Sequence, residues 1–255
     1  MSIRGDKRKL GLILSGQPIF IPEINIYITQ PKIKDIVLFG EDDFFTTIQL
    51  LVDMKKFTSM VKEGNSELNI ISDFQLLLVM VEEDPTIKKM IQNLFILIFP
   101  DYKVEITENS IDFLLQENNR IIGRIHPFNF EHFQNALNDI FIPQGDNDRE
   151  PDYNPANDMA AKIADKIKKG REKIHEQKAA AEGAHSIFAD YCSTLSIGMH
   201  MDINIFFNYT SFQLYDAYRR FFDKEQSDFY MRVSSMPMMD TSKMEVPSPW
   251  QRNLY

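Results

Sequence analysis

Between Asn208 and Tyr230 the chain repeats aromatic residues at helical spacing, and this stretch limits the possible folds more than any other. Phe212, Tyr215, Tyr218 and Phe222 recur at intervals of three, three and four, with Leu214 and Phe221 beside them. The spacing predicts an amphipathic helix with an aromatic inner face. Thr210 or Ser211 supplies its N-cap, because a short side-chain oxygen can accept a hydrogen bond from a first-turn amide. Asp216, Arg219, Arg220, Asp223 and Lys224 fall on the outer face. A face this large has to be covered, either by the rest of the chain or by a partner. We expect Tyr215 and Phe222 to serve the core.

The remainder predicts an α+β fold, predominantly helical. Leu10–Leu14 and Pro18–Ile28 read as two short strands around a Ser15-Gly16-Gln17 turn. A helix follows from Pro31, with Ile33, Ile36 and Val37 inward and Gly40 as its stop. Glu41-Asp42-Asp43 opens the next helix, where acids favour the positive end of the dipole, and Phe44 to Phe57 carry its apolar face. Asn65–Glu82 and Pro85–Phe99 are two further helices, separated by Asp84-Pro85. Tyr102–Thr107, Ile111–Gln116 and Arg120–Ile125 alternate as a three-stranded meander. Asn129 caps a helix containing Phe130, Phe133, Leu137 and Ile140.

The character changes after Pro143. Gln144 to Pro155 holds four acids, one base and two prolines, with almost nothing to bury. We therefore read an α+β domain of helices and an antiparallel sheet at 1–143 and an acidic linker at 144–157. A helical C-terminal part at 158–236 and an extended tail at 237–255 follow. Met159–Ala181 is a lysine-rich helix with a thin apolar stripe, and Ala184–His200 is a better patterned one. Residues 158–183 carry 7 basic against 5 acidic side chains, which suits a solvated face better than an electrostatic partner.

No residue set specifies catalysis. His126 and His132 flank Glu131 but lack the i, i+4 register that puts two imidazoles on one helix face. The acids Glu41–Asp43 and Glu82–Asp84 sit at helix termini, where solvated carboxylates are common. Cys192 with His185 or His200 lacks an orienting acid, and a buried structural cysteine is the simpler reading. A hydrolase or nuclease would need a cleft of clustered, shifted groups, which the sequence does not offer. Met231, Met236, Met238, Met239 and Met244 either line an adaptable binding surface or fill gaps in a core, and the two readings stand level.

The totals exclude other classes. A formal charge of −9 and only 10 glycines speak against nonspecific nucleic-acid binding and a phosphate-cradling loop. The one cysteine rules out a disulfide or thiolate metal site within one chain. The apolar run after the basic Met1–Lys9 is five residues long, far short of the ~18–20 needed to span a bilayer. The reading is a soluble cytosolic protein.

Two stretches resemble a known family. Ile28-Thr29-Gln30-Pro31-Lys32-Ile33-Lys34-Asp35-Ile36, then Gly40-Glu41-Asp42-Asp43-Phe44, is similar to the N-terminal strand–Pro–helix signature of bacteriophage tail-assembly proteins. Tyr209-Thr210-Ser211-Phe212-Gln213-Leu214-Tyr215-Asp216 resembles the C-terminal helix of that group, and the order of segments is also similar. The resemblance implies a non-enzymatic tail assembly chaperone that keeps the tape-measure protein soluble while tube subunits polymerise around it. Its expected partners are the tape-measure or other tail proteins, with a homo-oligomer allowed. No cofactor, small-molecule substrate or membrane is expected, and nucleic acid is disfavoured. It would work in the host cell cytoplasm, or in the virion if it stays there. Met236, Met238 and Met239 are the expected client-binding residues. The alternative is a structural virion protein, as a tail, connector or baseplate subunit.

Overall fold

The computed structural model describes residues 7–54, 72–142 and 186–234. The chain divides into two compact units, Met1–Pro143 with Tyr191–Tyr255, and Gln144–Asp190. The acidic segment 144–157, the helix expected at Met159–Ala181 and the tail 237–255 lie outside the described residues. So does 55–71, which holds the start of the helix expected at Asn65. The fold is α+β and predominantly helical, as the sequence predicts.

The first element is helix α1 (Lys7–Ser15), where the sequence suggested a strand. A five-residue apolar run fits either state by periodicity alone. The Ser-Gly-Gln that resembled a strand turn is a helix C-cap instead. Gly16 adopts φ 70°, its N–H donates to Ile13 O at 3.0 Å, and Gln17 N–H donates to Leu12 O at 3.1 Å. That is the Schellman pattern, which satisfies carbonyls the helix leaves open.

Pro18–Ile28 is a hairpin and not one strand. Strands β1 (Ile19–Ile21) and β2 (Ile26–Ile28) pair antiparallel, and Asn25 turns the chain at φ 62°. The hairpin lies against Gly123, where a Cβ would stand 2.6 Å from Ile24 O. Only glycine permits that approach. Helix α2 (Ile33–Phe39) begins two residues later than expected. Lys32 forms an antiparallel bridge with Thr210, and Ile33 N–H donates to Tyr209 O at 2.8 Å. This pairing holds Lys32 extended, so the helix cannot start at Pro31. Ile33 and Ile36 are buried, whereas Val37 is largely exposed. Gly40, at φ 104°, ends α2 and precedes α3 (Glu41–Val52).

Helices α4 (Asp73–Glu83) and α5 (Pro85–Ile98) pack together. Ser72 caps α4 through a capping box with Gln75. Asp84 caps α5, its Oδ1 accepting from Thr86 N–H at 2.7 Å, with Pro85 at the first helical position. The expected meander follows as β3 (Tyr102–Ile106), β4 (Ile111–Leu115) and β5 (Ile121–Ile125), in that spatial order. Helix α6 (Phe130–Phe141) closes this part. Asn129 stands at its cap position but uses its side chain elsewhere. Its Oδ1 accepts from His126 N–H, and its Nδ2 donates to Glu23 O and Arg124 O.

The core is built of phenylalanine. Phe95 and Phe99 of the α5 end meet Phe113 of β4 and Phe133 of α6, the Phe99–Phe113 centroids lying 4.7 Å apart edge to face. Phe74–Phe130 and Phe44–Phe141 extend the cluster to α4 and α3. Such tilted contacts add to the area term through the ring quadrupoles.

Candidate protein-binding surface on the C-terminal helix

The last three helices are α7 (Ile187–Met199), α8 (Ile203–Phe207) and α9 (Ser211–Ser234). Thr210 caps α9: its Oγ1 accepts from Gln213 N–H at 3.3 Å, and Gln213 Oε1 accepts from Thr210 N–H at 2.9 Å. Gln213 Nε2 also donates to Leu14 O at 2.8 Å, which ties α9 to the end of α1. Lys34 Nζ reaches Asn208 Oδ1 at 3.0 Å. With the Lys32–Thr210 bridge, these bonds fix the start of α9 on α1 and α2.

The aromatic stripe is covered at its beginning and open at its end. Phe212 is buried, and Tyr215 and Tyr218 are half-buried. Tyr218 stacks on Tyr191 of α7 with centroids 4.1 Å apart and planes 22° apart. Phe222, expected in the core, is 54% exposed, and Phe229, seven residues on and on the same side, is 62% exposed. Met231 is also exposed. The buried positions of this half are Asp223, at 4%, and Ser227, at 6%. Asp223 was assigned to the outer face because it is charged. Asp223 and Ser227 mark the inward side of late α9, and Phe222 and Phe229 face outward.

On the side of α9 turned away from Phe222 and Phe229, α1, the end of α7 and α9 enclose a groove of ≈ 710 Å³. Leu14, Met199, Ala217 and Phe221 give it an apolar interior, and Arg220 and Lys224 also line it. Arg220 Nε donates to both oxygens of Asp216 at 3.1 and 3.0 Å, and Lys224 Nζ contacts Asp228 at 3.0 Å. Gly198 makes room for Phe221, whose Cε2 lies 2.6 Å from where a Cβ would stand. The groove could not be read from the sequence, since its walls come from residues as far apart as Leu14 and Lys224. The outward pair did leave a signal, in the i, i+7 continuation from Phe222 to Phe229.

The other sequence candidates are separate. Cys192 is fully buried in α7, and burial, with the Glu41 carboxylate second, pushes its thiol up to about 11. At neutral pH it is therefore a protonated, unreactive thiol. His200 is exposed beyond the end of α7, at φ 55°, and His185 lies outside the described residues. His126 Nδ1 accepts from Phe128 N–H at 3.2 Å. Among the described residues, no group of three or more His, Cys, Asp or Glu is arranged to hold a metal ion. Glu41–Asp43 form the first turn of α3. The backbone N–H of Thr86 holds the Asp84 carboxyl below its ordinary range, as expected of a cap. Met236, Met238 and Met239 lie outside the described residues. No described helix is long and apolar enough to cross a membrane.

No family model, curated protein or solved structure matches this chain.

Proposed function

We propose that this chain is a non-enzymatic protein-binding factor and, more particularly, a bacteriophage tail assembly chaperone that holds the tape-measure protein soluble. The observation that carries the reading is the pair of outward aromatics, Phe222 and Phe229, which continue the Tyr215–Tyr218 stripe into solvent on late α9. The client is an amphipathic helix whose apolar side packs against these two exposed rings. Met236, Met238 and Met239, which lie outside the described residues, are the proposed adaptable end of the site. The particular identification is supported by the two stretches that resemble tail-assembly proteins. Ile33 N–H donates to Tyr209 O and Lys32 bridges Thr210, so the two stretches form one structural unit.

Mass spectrometry of purified particles, with the protein followed in the infected lysate, tests this reading. A chaperone is abundant in the lysate and absent from the finished virion. A fixed copy number in the particle would instead assign a tail, connector or baseplate subunit working in the virion.

A further inference from the structure

β3 is an edge strand: it pairs with β4, and among the described residues no strand pairs with its other side. The direction of its peptide groups follows from two bonds at the ends of the ladder. Thr107 N–H donates to Ser110 O at 2.8 Å, so Thr107 faces β4. Alternate residues of a strand point their peptide groups the same way, so Glu105 and Lys103 face β4 as well. Leu115 N–H donates to Arg120 O on the β5 side. That leaves its neighbour Leu114, the register partner of Lys103, facing β3. Both ends agree, and the peptide groups of Tyr102, Val104 and Ile106 point out of the sheet. Tyr102 N–H is engaged by Phe99 O at 3.1 Å. The Val104 and Ile106 donors, and the carbonyls of all three residues, have no partner within the sheet.

The side chains of this edge are self-complementary. Tyr102, Val104 and Ile106 are half-buried on one face, and Lys103 and Glu105 are exposed on the other, joined by an ion pair of 2.7 Å. Read in either direction about Val104, the strand places an apolar residue opposite an apolar one and a base opposite an acid. A flat edge is usually blunted by a proline, a bulge or an inward charge. β3 contains no proline, and the register shift in this sheet lies between β4 and β5. A groove of ≈ 300 Å³ flanks the strand, lined by Asn93 and Ile96 of α5 and by Tyr102, Val104 and Ile106. Ile96 is 71% exposed although it stands next to the core.

We propose that a second copy of this chain docks here, the two β3 strands pairing antiparallel about Val104 to give a two-fold dimer with a continuous sheet. Val104 exchanges both hydrogen bonds with the partner's Val104. On each side of that centre, Ile106 N–H donates to the carbonyl of the partner's Tyr102. Lys103 stands directly opposite the partner's Glu105, and Glu105 opposite the partner's Lys103, a favourable cross-strand arrangement. The two-fold axis is perpendicular to the sheet, so both α5 helices lie on one face and Ile96 packs at the seam. The contact is isologous, which closes the assembly at two copies.

Sedimentation velocity of the full chain over a concentration series tests the proposal. The expected result is a reversible monomer–dimer equilibrium. Val104→Pro removes a donor that serves no bond within the sheet, a position where an edge strand tolerates proline, and it should abolish the dimer. Lys103→Glu and Glu105→Lys each set two like-charge pairs across the seam and should each raise Kd about tenfold. A mixture of those two variants should form a heterodimer, and Lys103→Glu/Glu105→Lys in one chain should recover self-association. If Val104→Pro fails to fold, the charge exchange decides alone. A protein that is monomeric at every concentration overturns the proposal, as does a dimer indifferent to the charge reversals.

Discussion

Leu214→Ala and Phe222→Ala truncate side chains eight positions apart on the same helix, and the structure separates their costs. Leu214 has no exposed surface. Its truncation removes apolar contacts and leaves a cavity, a loss of ~2–5 kcal/mol. Phe222 is 54% exposed, so less than half its surface is withdrawn from water. Full burial of a phenylalanine is worth ~1.5–3 kcal/mol, which leaves about 1 kcal/mol at stake. Solvent fills the space, so no cavity term is added. Urea unfolding of the two variants, at unchanged m-value, should therefore show a midpoint shift for Leu214→Ala at least twice that for Phe222→Ala. Equal shifts, or a larger one for Phe222→Ala, would refute the assignment of Phe222 to an outward surface.

Three further outcomes follow from the fold. Arg124 hydrogen bonds, at 2.6 and 2.8 Å, hold the Asp112 carboxyl below its ordinary range, with Ser110 adding to them. A depressed carboxyl stabilises the fold above its unfolded pKa of ~3.9 and loses that contribution as pH falls through the lower folded value. Asp112→Asn should therefore melt below the wild type at pH 7, and the two melting temperatures should draw together as pH falls below the unfolded pKa of ~3.9. Cys192 should resist alkylation in the native protein at pH 7 and react once urea unfolds it, and rapid native labelling would contradict its burial. Gly123→Ala drives a Cβ against the Ile24 carbonyl and Ile26, so it should destabilise the protein by ~1–3 kcal/mol through overpacking, measured by the same urea titration.

Local chemistry made much of the fold legible. Tyr102, Val104 and Ile106 alternate with Lys103 and Glu105, and the flanking turn residues fixed the meander almost to the residue. Asp84-Pro85 fixed the start of α5 because cap and first-turn proline act within three positions. The errors arose where tertiary contacts chose between local options. The apolar run Leu10–Leu14 suits a strand until Gln213 binds Leu14 O, some 200 residues away. Thr210 holds Lys32 extended, so Pro31 does not open α2. The inward side of late α9 is marked by Asp223 and Ser227, and hydrophobicity cannot point to polar residues that are buried. The groove was invisible for the same reason as the α1 error, since Leu14, Met199 and Phe221 meet only in three dimensions.

The most direct measurement of the proposed function is the soluble fraction of the proposed client, a phage tape-measure protein, when it is produced together with this chain or with its Phe222→Ser/Phe229→Ser variant. Both substitutions fall on outward residues, so the variant should remain folded by circular dichroism. The account predicts that the wild-type chain keeps the client in the supernatant and that the folded variant lets most of it pellet. A client equally soluble with both chains, or insoluble with both, would contradict the assignment of this surface to client binding.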